Sequence, residues 1–128
     1  MDRLKDKVAI VTGSTSGIGI GIARLFAEEG AKVVICGRRE EKGQAVVDSI
    51  TKEGGEASYH FFDITDTDSI KKLIDDTVEK YGKIDILVNN AANVALKDGS
   101  IGELTIDMWD AIFESDLRGT FYATKCVI

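Results

Sequence analysis

Residues with the types and spacing to do chemistry begin at Thr12-Gly13-Ser14-Thr15-Ser16-Gly17-Ile18-Gly19. This stretch follows an apolar run, Val8-Ala9-Ile10-Val11, and opens onto apolar residues recurring at Ile18, Ile22 and Phe26. The chemistry on offer is anion capture. A helix N-terminus presents unpaired backbone N–H groups and the positive end of its dipole, and glycines let a pyrophosphate approach the backbone. Ser14, Thr15 and Ser16 add hydroxyls that suit a phosphate, or equally a helix cap. The glycines would also serve close helix–strand packing.

Three further groups bear on the same chemistry. Gly37-Arg38-Arg39 ends a second apolar run, Lys32-Val33-Val34-Ile35-Cys36, about twenty residues downstream, where a nucleotide fold reads the ribose. A carboxylate there would accept from both ribose hydroxyls. A guanidinium with no carboxylate favours a 2′-phosphate, hence NADP(H) with NAD as second choice, unless both arginines are simply solvated beside Glu40 and Glu41. Asp63 follows a third run and could accept from an adenine amine, or belong to a helix cap spanning 63–68. Asn89-Asn90-Ala91-Ala92 follows a fourth run. Its amides can tie neighbouring strands and its small residues leave room for a ribose and nicotinamide, although alone it is a polar turn.

The elements that must position these groups alternate strand and helix. Strands are expected near 8–11, 32–36, 57–62 and 84–88. The first helix is expected to bury Ile18, Ile22, Leu25 and Phe26, leave Glu28 and Glu29 on its polar side and stop at Gly30. A second runs from about Glu40 to Lys52 through Ala45, Val46 and Ile50, closed by Gly54-Gly55. A third carries Ile70, Leu73, Ile74, Thr77, Val78 and Tyr81 on one face, with Thr65 or Asp66 as cap and Gly82 as stop. A loop is expected from Asn90 to Leu104, then a last helix capped by Thr105 through Trp109, Ile112, Phe113, Leu117 and Phe121. Alternation of this kind makes an α/β, Rossmann-type parallel sheet of order 3-2-1-4 with helices on both faces. Residues 1–128 read as one domain, and an incomplete one, because the last helix is still apolar at Cys126-Val127-Ile128 with nothing to stop it.

Composition narrows the partners. A net charge of -6 with mixed signs argues against nucleic acid or an anionic membrane. Cys36 and Cys126 have no metal-site spacing, no metal site is expected, and the thiols fit a reducing cytoplasm. The charged N-terminus lacks a signal-type apolar region, and no run approaches membrane-spanning length. His60 is the only histidine, so no Ser-His-Asp triad can form and a structural role is expected.

Together the four groups resemble the short-chain dehydrogenase/reductase family. Its T-G-x-x-x-G-x-G pattern is similar to Thr12, Gly13, Gly17 and Gly19, and its N-N-A-G to Asn89, Asn90 and Ala91, with Ala92 in place of glycine. Gly37-Arg38 looks like its NADP-preferring pattern, and Asp63-Ile64-Thr65 like its adenine contact. The resemblance implies a cofactor set of Gly13, Thr15, Ser16, Gly17, Ile18, Gly19, Gly37, Arg38, Arg39, Asp63, Ile64, Asn90, Ala91 and Ala92. It implies hydride transfer between NADP(H) and a small alcohol or carbonyl substrate in the complete protein, and a homo-oligomer through the helix 105–128. Asp116 falls where the family has an Asn that helps hold a proton-relay water, and an acid there lacks the amide's donor. The family's Ser and Y-x-x-x-K have no counterpart: Tyr122 and Lys125 are separated by two residues, not three. These 128 residues alone are therefore expected to be inactive, as the cofactor-binding portion of an enzyme. A non-catalytic dinucleotide module and a fragment acting only in oligomerisation are the alternatives.

Overall fold

The computed structural model describes residues 2–92 and 100–128. Four parallel strands form one sheet: β1 (Val8–Val11), β2 (Lys32–Gly37), β3 (Glu56–Phe61) and β4 (Ile86–Val88), in the order β3-β2-β1-β4. Val11 pairs with both Ile35 and Val88, and Ile35 with Tyr59, so all four strands end at one sheet edge. That edge is where a βαβ sheet receives its ligand.

The strands read as continuous apolar runs because both faces are covered. On one face Val11, Val33 and Ile35 pack with Ala23, Ala27, Val46, Val47 and Ile50 of α1 (Gly17–Glu28) and α2 (Glu40–Lys52). On the other, Ile10, Val34 and Cys36 pack with Ile70, Leu73 and Ile74 of α3 (Thr67–Tyr81) and with Ala123. Fully buried side chains such as Ile10, Ile35 and Ile70 each contribute about 1.5–3 kcal/mol of burial free energy.

The face α1 buries differs from expectation. Gly19, Ala23 and Ala27 meet the sheet, whereas Ile18 is 76% exposed and Leu25 49%. Small residues let the helix axis come close to β1 and β2, which aims its N-terminus at the sheet edge. Glu29 is tucked in, not on the polar side: Arg3 donates to its carboxylate at 3.0 Å and holds it below the usual carboxylate range. Gly30, at φ +97, ends the helix. In α2 the buried positions are Gly43, Val46, Val47 and Ile50, and Ala45 faces out.

In α3 the cap is Asp66, whose carboxylate accepts from the N–H groups of Asp68 and Ser69, and Gly82 closes it at φ +83. β4 is shorter than expected and half-buried, because β1 covers only one of its edges. Of the loop expected from Asn90 to Leu104, residues 93–99 lie outside the described residues, and Ile101–Glu103 form a short 3-10 helix.

Thr105 caps the last helix by accepting from Met108 N–H at 3.1 Å. The helix is not continuous α. It comprises α4 (Ile106–Ile112), a π-helical segment (Phe113–Gly119) and α5 (Thr120–Val127). Ser115, buried in the wide segment, donates back toward the Ala111 carbonyl at 3.0 Å, a bond that competes with the helical ladder. Ile106, Trp109, Phe113, Leu117 and Phe121 are exposed, with the Trp109 and Phe113 rings 4.4 Å apart, so they line an outward face rather than the core.

Candidate cofactor-binding site

The strand ends assemble the residues singled out from the sequence. After β1 the chain turns at Gly13, φ +65, and enters α1 at Gly17, φ +56; both angles favour glycine. Of the three turn glycines, Gly19 has the tightest surroundings. A Cβ there would press on the Gly13 carbonyl, and would meet Asn90 Nδ2 at 2.8 Å and Ser14 Cα at 2.9 Å. A Cβ on Gly17 would meet nothing within 4 Å. One glycine thus closes the turn on itself while the other leaves open space in front of the helix N-terminus. Ser16, the α1 cap residue, is exposed and makes no side-chain capping bond, so its hydroxyl is not serving the helix.

Thr12 is the hub between turns. Its buried hydroxyl donates to Val88 O at 3.3 Å and accepts from the N–H groups of Asn90 and Ala91, each at 3.0 Å. Asn90 Nδ2 returns a bond to Gly13 O at 3.2 Å. The Ala91 backbone lies directly against Gly13, 3.0 Å from where a Cβ would stand. Asn90 therefore does tie neighbouring strand ends together. Asn89 points elsewhere and donates to Thr124 Oγ1 at 3.0 Å. Ala92 is exposed.

Ser14 is not a phosphate donor. It is completely buried, its Oγ accepts from Cys36 N–H at 3.0 Å, and its own N–H donates to Cys36 O at 3.2 Å. The β1–β2 ladder thus continues one step into the turn through a side chain. Cys36 beside it is fully buried, which pushes its thiol pKa up to about 12 and leaves it an apolar packing group. The next residue, Gly37, packs against Thr15, whose Cγ2 lies 2.7 Å from a Cβ built on Gly37. Arg38 and Arg39 follow, both exposed. The arginine pair thus leaves the sheet beside the glycine turn.

Asp63 has a local role. Its Oδ1 accepts from Thr65 N–H at 3.0 Å and from Thr65 Oγ1 at 2.7 Å, and its backbone is held by Ser69 Oγ. Ile64 packs on the second core cluster, its Cγ1 against Gly119 of the last helix. Asp116 lies half-buried in the π-helical segment, where its Oδ1 is 2.8 Å from Ser115 Oγ and competes with the Ala111 carbonyl for that hydroxyl's single proton. His60 is structural: one ring nitrogen is 2.7 Å from Phe61 O and the other 2.7 Å from Asp76 Oδ2.

The residues present fit a dinucleotide. The turn is glycine where a side chain would fill it, a helix N-terminus faces the opening, and arginines stand at the second strand end. The sheet order and the helices on both its faces together define a Rossmann-type fold. Residues 7–128 match the family described as short chain dehydrogenase, and the chain belongs to the short-chain dehydrogenase/reductase family. Among curated relatives it is 41% identical over 128 residues to the uncharacterized oxidoreductase YxbG of Bacillus subtilis, covering 100% of this chain and 46% of that protein. It is 40% identical to the 3-oxoacyl-(acyl-carrier-protein) reductase FabG of Chlamydia pneumoniae, covering 98% and 50%. An actinorhodin polyketide ketoreductase solved with NADPH superimposes with a TM-score of 0.87 at 39% identity, covering 94% of this chain and 46% of that one. The chain thus spans about half the length of the relatives it matches.

The sequence pointed to Thr12, Ser14 and Gly37 through the motifs they sit in. It did not show that Thr12 and Ser14 are buried struts. A hydroxyl immediately inside a strand–glycine turn was the available signal.

Proposed function

We propose that this chain holds NADP(H) for an oxidoreductase that moves hydride between the nicotinamide and an alcohol or carbonyl carbon of a small molecule. The observation that carries the reading is Gly37-Arg38: a glycine packed on Thr15 of the phosphate turn, followed by an exposed guanidinium and no carboxylate. Arginine matches a phosphate by charge and by a forked donor pair. The NADPH-bound ketoreductase neighbour supports the same choice.

In this reading Gly13, Thr15, Ser16, Gly17, Ile18 and Gly19 surround the diphosphate at the α1 N-terminus. Gly37, Arg38 and Arg39 take the 2′-phosphate. Asp63 and Ile64 border the adenine, and Asn90, Ala91 and Ala92 the nicotinamide ribose. The cofactor supplies the hydride when bound. This chain's part is to bind and orient: Thr12 and Asn90 lock the two turns so that the diphosphate and the nicotinamide end are held in one frame. Asp116 borders the relay position in the complete protein. The exposed face from Ile106 to Phe121 is the surface through which copies would associate, and the cytoplasm is the compartment.

Thermal unfolding with and without dinucleotide tests this. A ligand that binds only the folded state raises the melting temperature by an amount that grows with the logarithm of its concentration over Kd. NADPH should raise it more than NADH at equal concentration. No shift with either would overturn the reading.

A further inference from the structure

Tyr59 stands two residues before the end of β3, with its ring beneath the first turn of α2. The ring occupies space left by Gly43: a Cβ built there would meet the ring's Cγ at 3.0 Å and its Cδ1 and Cε1 closer still. The phenol hydroxyl donates to the carbonyl of Gly37 at 2.6 Å. Phe62 N–H donates to that same carbonyl at 3.0 Å, so it is fixed by two donors from the β3 side. At the other end of the corner, Gly43 N–H donates to Arg39 O at 3.0 Å. One side chain therefore binds the entry of Gly37-Arg38-Arg39 through its hydroxyl and packs its ring on Gly43, whose own N–H holds the exit at Arg39. Burial pushes the phenol pKa up, with Glu40 and Glu41 adding in the same direction, so the group remains a donor at neutral pH.

We propose that Tyr59 is a positioning residue for cofactor choice, holding the Gly37–Arg39 corner so that Arg38 is presented to a 2′-phosphate. This rests on the reading of that corner as the ribose end of the site. The plain alternative is a filler of the α2–β3 interface whose hydroxyl merely found a carbonyl. Stability suffers under both. Only the positioning role distinguishes a nucleotide with a 2′-phosphate from one without.

The test is calorimetric titration of the protein with adenosine 2′,5′-bisphosphate and with adenosine 5′-monophosphate, which differ only in the 2′-phosphate. Wild type should prefer the bisphosphate. Tyr59→Phe keeps the ring and loses the hydroxyl; it should weaken bisphosphate binding about fivefold, the effect of one lost hydrogen bond on placement, with monophosphate binding unchanged. Gly43→Ala, which pushes on the ring from the other side, should give the same selective loss and serves if Tyr59→Phe does not fold. Equal weakening of both nucleotides, or none, overturns the positioning role while leaving the corner's assignment intact. A wild type without preference overturns the assignment itself, and the role of Tyr59 with it.

Discussion

The side-chain amide of Asn90 donates to the carbonyl of Gly13, 77 positions earlier, across 3.2 Å. With Thr12 Oγ1 receiving the Asn90 and Ala91 N–H groups, this bond joins the turn after β1 to the turn after β4. The two turns would serve opposite ends of a dinucleotide. Their relative position therefore depends on a few side-chain bonds beyond the strands.

Removing that bond should loosen the phosphate turn without unfolding the sheet. Asn90→Ala leaves the Gly13 carbonyl without its amide donor, a loss on the order of 1 kcal/mol or about fivefold in binding. NADPH affinity should fall by about that factor, with secondary structure by circular dichroism unchanged. Unaltered affinity would show that the Asn90–Gly13 bond has no part in shaping the site.

Glycines of α1 should divide sharply. Gly19→Ala drives a methyl into the Gly13 carbonyl and Asn90 Nδ2. It should cost about 1–3 kcal/mol of stability, as overpacking does, and should abolish dinucleotide binding. Gly21 is exposed, lies within the helix and has nothing within 4 Å of a built Cβ. Gly21→Ala should therefore stabilise the protein by about 0.5–1 kcal/mol, by helix propensity and a less disordered unfolded chain. Chemical denaturation of both variants checks the pair.

Acid should weaken the fold through depressed carboxyls. Lys83 at 2.8 Å, then the Val8 N–H at 2.9 Å, hold the Asp85 carboxyl below its usual range. His60, then Lys72, do the same for Asp76. A carboxyl depressed in the folded state adds stability above its unfolded pKa of about 3.9 and loses it as pH falls through the folded value. Melting temperature should therefore drop as pH falls below about 4. Asp85→Asn, which keeps an acceptor for Val8 but cannot ionise, should show a shallower drop. An identical acid limb in that variant would exclude Asp85 as a contributor.

Asp116 should tolerate an amide. Asn keeps an oxygen 2.8 Å from Ser115 Oγ and replaces the other with an amide nitrogen that brings two donor hydrogens. If the complete protein is the oxidoreductase proposed above, Asp116→Asn should leave its kcat unchanged or raised. A fall of more than about tenfold, or 1.4 kcal/mol of barrier, would show that the acid itself is needed.

Strand order and the glycine turn were legible in the sequence because both rest on short-range pattern: apolar runs of strand length, glycines at fixed gaps, and the periodicity of α3. The face of α1 was not. Hydropathy ranks Ile18 and Leu25 above Ala23 and Ala27, but a helix pressed close to a sheet needs small side chains at the contact. Nor was the burial of Ser14, which depends on the Cys36 backbone arriving from 22 residues away. The π-helical segment was hidden for a similar reason. It combines the Ser115 back-bond with the approach of Gly119 to the Ile64 backbone, and neither is a local propensity. The motif residues do come to one sheet edge, while Asp63 acquired a turn-forming role with Thr65 that its type alone left open.

Calorimetric titration of the protein with NADPH and with NADH, repeated on Arg38→Ala, is the most direct measurement of the central claim. The account predicts tighter binding of NADPH to the wild type, and a preference for NADPH that shrinks or disappears in the variant while NADH affinity holds. No binding of either dinucleotide, or a preference for NADH, would contradict it.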